Sequence, residues 1–185
     1  MSYSTNTLQW LRDVTKPIHR DIDSAGIGSS MRSGTFDENV YCKWLKSNHQ
    51  FSVSVKNTFS NHPDSSWCKY LPNNFHENLL LEDMNNLGND CTAISTLITA
   101  ISHEDELLTI AYSYLGSMIG MEMILKYLEK NNSDYPLAFL TAKKEESGKF
   151  GDFMADLRFT QLTISEEKLR DFTIRYWMWL RLIFR

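Results

Sequence analysis

From His103 to Lys130 the chain carries an uninterrupted helical pattern, free of proline and apolar nearly all round from Leu107 to Leu128. A helix of that kind belongs at the centre of a structure, covered on most sides by other elements. The rest of the sequence supplies the cover. Leu8, Leu11, Val14, Ile18 and Ile22 recur at steps of three and four from about Asn6 to Ser24, with Pro17 predicting a bend. Phe36, Val40, Trp44, Phe51, Val55 and Phe59 share one face of a segment running to about Asn61, which His62-Pro63 breaks. The spacing predicts a Gly/Ser loop over 26–34, a short helical turn near Trp67 to Tyr70, and helices over 73–87 and 91–101. It further predicts one helix over 135–158, and a last one after Ser165-Glu166-Glu167 that carries Leu169, Phe172, Tyr176, Leu180 and Ile183. Ser102 with Asp105 reads as the cap pair opening the central helix. No sustained period-two run and no Asn-Gly or Asp-Gly hairpin signal is present. The expectation is an all-α fold, one domain over residues 1–185.

Bulk properties narrow the function classes. The 185 residues are 42% hydrophobic and 23% charged, a globular balance. A net charge of -4 gives no global pull toward nucleic acid or anionic membrane. No apolar run reads as a membrane span and the first residues do not read as a signal peptide, so the expected home is the cytoplasm. Cys42, Cys68 and Cys91 are widely spaced and form no CxxC pair, which argues against a zinc site or a disulfide framework. His49, His62, His76 and His103 form no metal-ligand spacing, and no Glu-x-x-His step marks a di-iron centre. His62 and His103 read as loop and cap residues.

Two segments carry chemistry. On the first helix, Arg12, Lys16, His19 and Asp23 share a face. A neutral imidazole is a good axial ligand to haem iron, and such a histidine gives its other N–H to an oxygen acceptor. Asp23, one turn on, can be that acceptor. Arg12 and Lys16 can meet carboxylates. The alternative for all four is a solvated polar face. On the central helix, Gly116 and Gly120 lie four apart on one face, each costing roughly 1 kcal/mol against alanine. Without Cβ atoms the backbone admits a flat ligand, or another helix packed through small residues; Ser117 adds a hydroxyl beside the gap. Met118, Met121 and Met123 read first as core filler.

Taken in order, these segments resemble the haem oxygenase family, particularly its bacterial biliverdin-producing branch. The resemblance rests on Leu11 to Thr15 followed by His19, on 36–59, on Leu79-Leu80-Leu81-Glu82-Asp83 through Leu87-Gly88, on Tyr114-Leu115-Gly116-Ser117-Met118-Ile119-Gly120, and on Pro136-Leu137-Ala138-Phe139-Leu140. It implies a multi-helix bundle that binds haem b and cleaves it to biliverdin, iron and carbon monoxide. O2 and an external electron donor such as a reductase would supply the oxidation. His19 would be the iron ligand, with Asp23 near it, and Arg12 and Lys16 would be the propionate partners. Gly116, Ser117 and Gly120 would form the catalytic distal wall, the two glycines lying against haem. It implies no nucleic acid, no membrane, and a monomer or weak dimer. Leu115 before Gly116, Ser117 where some members hold an aspartate, and Met121 where members usually hold another glycine support a second reading, a haem carrier or sensor of the same fold. A third is a helical interaction protein without haem that uses Tyr176-Trp177-Met178-Trp179 as its contact surface.

Overall fold

The computed structural model describes residues 6–88, 100–131, 134–146 and 148–184. These form eight α-helices and one turn of 3-10 helix, with no strand among the described residues. The helix expected over 91–101 lies outside them, apart from its last two positions.

Helix α1, Thr7–Ala25, opens on an Asn6 side chain that accepts the Leu8 N–H, and it runs through Pro17 as one element. The expected 26–34 loop is instead a short helix, α2, Ile27–Ser33. Gly26 ends α1 and starts α2, and Gly34 ends α2 in the left-handed region that glycine favours. Ile27 and Met31, partly buried against the core, hold this helix down where local composition reads as loop. Helix α3, Glu38–Ser60, is capped by Asp37, and a 3-10 turn, Cys68–Tyr70, follows. Helix α4, Glu77–Asn86, begins four residues later than its pattern predicts, after His76 takes a left-handed φ of 59°.

Helix α5, Glu104–Lys130, opens one residue away from the expected cap pair. His103 accepts from the first turn, and the Glu106 carboxylate reaches back to the His103 N–H in a capping box. By length and composition α5 is apolar enough to cross a membrane, contrary to expectation, but 61% of its most apolar window is buried within the chain. The expected 135–158 helix is two, α6, Ala138–Glu145, and α7, Gly148–Leu157. The residues before Ala138 are not helical because the buried Asp83 carboxylate takes the Ala138 and Phe139 N–H groups and fixes the start of α6 there. Helix α8, Glu166–Ile183, starts on the expected Ser165 cap.

The buried apolar residues form two clusters that α5 threads. Its first half (Leu108, Ile110, Tyr114, Met118) packs with α1, the second half of α3, α7 and α8. Its second half (Met121, Leu125, Leu128) packs with the first half of α3, α4 and α6. Tyr176 and Trp177 are spent on this packing, while Met178 of the same stretch is exposed. Side-chain pairs fix the helix directions. Arg170 lies near the Trp10 ring, Trp177 near His19, and Arg181 pairs with Asp21. Thr109 meets Thr173, and Ser113 meets Tyr176. Numbers rise together in both sets, so α1, α8 and α5 run parallel.

Candidate functional site: the groove between α1 and α5

Arg12, Lys16, His19 and Asp23 are all exposed along α1, on the face its buried Leu8, Leu11 and Val14 leave outward. The structure brings two of them together: His19 Nδ1 lies 2.9 Å from Asp23 Oδ2. That contact leaves Nε2 free of the carboxylate. The ring rests against the buried Trp177 indole, with centroids 5.7 Å apart. The Arg12 guanidinium and the Thr15 hydroxyl lie beside the Tyr112 hydroxyl of α5, whose acidity is suppressed by burial first of all. This is a polar bridge between the two helices. Because α1 and α5 are parallel, both walls climb from it in the same direction, through Lys16 and His19 on one side and Gly116 and Gly120 on the other.

The wall on α5 has a defined open face. Tyr112, Gly116, Ile119, Gly120 and Met123 fall within a narrow arc at 100° per residue. Ile119 and Met123 are 55% and 67% exposed on a helix that is otherwise largely buried. A Cβ built at Gly120 meets nothing within 4 Å, and one at Gly116 reaches only the edge of Phe150 at 3.9 Å. Among the described residues no other helix uses the space at Gly120, and at Gly116 only the Phe150 ring edge of α7 approaches it. Ser117 stands at the margin of this face, and its Oγ donates to the Tyr114 carbonyl at 2.7 Å.

Three residues of the groove carry no expectation as site residues: Tyr112, Ile119 and Met123, the last read as core filler and instead exposed. Their positions at -4, +3 and +7 from Gly116 were the available signal. Met121, read first as core filler, is buried in the second core cluster, and Leu115 is wholly buried in the first. Each is adjacent to a glycine in sequence and turned about 100° away from it around the helix. The side chain that narrows this wall is Ile119.

The residues present fit haem. An exposed imidazole lies beside a carboxylate, two cationic side chains lie along the same helix, and α5 has room at Gly120 that no described protein atom fills. Among the described residues no group of three or more His, Cys, Asp and Glu side chains could hold a free metal ion. An open concavity of about 380 Å³, lined by Lys69, Tyr70, Lys149, Asp152, Ala155 and Asp156, contains none of these groove residues. There Lys69 and Tyr70 both bond Asp156.

No family model and no curated protein matches the sequence. A solved structure does: the haem oxygenase from Leptospira interrogans superposes with a TM-score of 0.73 over 97% of this chain and 98% of that one, at 16% sequence identity. At that identity the likeness is one of fold, and it extends over nearly the whole of both chains.

Proposed function

We propose that this chain is a haem-cleaving oxygenase of one domain, binding haem b between α1 and α5 and opening it to biliverdin, iron and carbon monoxide. The observation that carries this reading is the glycine notch. Two interior glycines of a largely buried helix leave an open face, empty at Gly120 among the described residues and bordered at Gly116 only by the Phe150 ring edge, and α1 carries an exposed histidine paired with Asp23. The neighbour's fold supports it, since that protein is a haem oxygenase.

In this reading His19 binds iron through Nε2, and Asp23 holds the ring in the tautomer that permits it. Arg12 and Lys16 meet the propionates, with Tyr112 fixing the Arg12 fork. The Gly116 and Gly120 backbone lies against the macrocycle, and Ile119 and Met123 exclude water from that side. Bound haem supplies the oxygen chemistry, being both substrate and cofactor, and an external donor supplies electrons. The protein orients the ring and shields it. The setting is cytoplasmic, the chain monomeric or weakly dimeric, with a reductase as transient partner and neither membrane nor nucleic acid involved.

A second reading, a haem carrier or sensor, is favoured by one contact. The Ser117 hydroxyl donates back to its own helix, so between Tyr112 and Met123 no side chain on the groove face of α5 has a free donor for a distal ligand. Hemin titration tests both. A one-to-one complex with a sharp Soret band is expected, altered or lost in His19→Ala. With a reductant and O2 the band should decay to a biliverdin spectrum. A Soret band that persists selects the carrier, and no Soret change on titration overturns haem binding altogether.

A further inference from the structure

Behind the groove wall lies a second cluster that the haem reading does not use. Lys143 follows Phe139 and Leu140 by one helical turn, so its stem lies on the buried face of α6. The residue is 1% exposed. Its ammonium sits 3.7 Å above the Tyr114 ring of α5 and makes no hydrogen bond. Glu146, at the end of α6, faces it, and its Oε1 lies 3.1 Å from Nε2 of His76, off the line a hydrogen bond needs. His76 holds that place from a left-handed backbone, which a non-glycine residue adopts at a cost. Glu77 opens α4 beside it, with one oxygen paired to Lys56 of α3 and the other buried without a partner. Ser52 of α3 acts on Tyr114, Glu77 acts on His49 of α3, and Lys149 of α7 acts on Lys143.

Six of the ten buried side-chain polar atoms that lack an aligned partner among the described residues belong to this cluster: both His76 nitrogens, Glu77 Oε1, the Tyr114 hydroxyl, Lys143 Nζ and Glu146 Oε2. Such atoms are normally paired, and a concentration of them marks a functional or hydrated interior. We propose that Lys143, with Glu146, His76 and Tyr114, forms a proton-operated latch in which proton uptake by the amine loosens α6 from α4 and α5 and proton release closes it. The geometry requires the coupling, because a charged ammonium at this spot has a ring face and off-line neighbours in place of solvent. Burial, opposed by Glu146 and helped by Lys149, pushes the Lys143 amine down to about 7. In an opened state it returns toward the ordinary lysine value. Between those two values the open state holds the extra proton, so opening becomes easier as pH falls and levels off below about 7. Burial holds His49 below its usual range, so it does not titrate in that window.

The latch is independent of haem and is tested on the apoprotein. Hydrogen exchange at the Ala138 and Phe139 amides, which Asp83 holds at the start of α6, reads the seam. After correction for intrinsic rates, opening should rise about tenfold for each pH unit lost between about pH 9 and pH 7 in the wild type, and stay flat in Lys143→Met. A flat wild type, or the same slope in the variant, overturns the latch. Should the variant not fold, the wild-type Lys143 Cε resonance decides: a midpoint well below about 10.4 supports the latch, and one at that value overturns it.

Discussion

Gly120 is exposed in the middle of a 27-residue helix, with nothing near the position of its missing Cβ. Alanine there removes backbone entropy without a clash, so Gly120→Ala should stabilise the apoprotein by about 0.5–1 kcal/mol. In the haem reading the same methyl group occupies the ligand's space, and hemin affinity should fall while stability rises. Urea unfolding and hemin titration of the one variant measure both. An affinity that holds or improves would remove Gly120 from the site. At this scale the sequence was legible where chemistry and helical spacing coincide: His19 and Asp23 stand four apart and do touch. It was less legible on α5, where Ile119 and Met123 look like core residues until the face they share with the glycines is seen to be open. Lys143 could not be read from its neighbours at all. Beside Lys144 and Glu145 it looks solvated, and only the packing of α6 buries it.

Among elements, the boundaries that local patterns mark were readable and those set from a distance were not. Ser165 caps α8 within its own turn, and the periodic face of α3 is the buried one. By contrast α6 begins at Ala138 because of Asp83, 55 residues earlier in the chain. The approach to α8 depends in the same way on Asp105, in the first turn of α5. Its buried carboxylate accepts the Thr163 N–H at 2.6 Å, the Thr163 hydroxyl at 3.0 Å and the Ile164 N–H at 2.9 Å. Asp105→Ala leaves those donors without their acceptor while the His103–Glu106 capping box of α5 stays intact. The expected loss is about 1–3 kcal/mol of unfolding free energy, and Asp105→Asn, which keeps one oxygen, should lose less. Equilibrium denaturation of the two variants measures it. Equal stability of Asp105→Ala and wild type would show that solvent satisfies the 163–164 backbone unaided.

For the molecule as a whole, helical class followed from periodicity, but the parallel run of α1, α8 and α5 did not. It depends on contacts such as Thr109 with Thr173 that no local pattern specifies. That arrangement decides how a ligand should act on stability. Helix α1 is fastened to α8 by Trp177 against His19 and by Arg181 with Asp21, and it is linked to α5 by the Tyr112 bridge. In the haem reading a flat ligand gripping both α1 and α5 adds a connection between them. At free hemin a hundredfold above its dissociation constant, a ligand bound to the folded chain alone adds about 2.7 kcal/mol. For a chain of this length that is a rise of about 5–10 °C in melting temperature. His19→Ala should remove most of the rise without lowering the melting temperature of the apoprotein by a comparable amount, because the imidazole is exposed and its ion pair with Asp23 is a surface one. Thermal unfolding of both proteins with and without hemin provides the four values needed. A shift of equal size in wild type and variant would place the ligand away from His19, whatever its affinity.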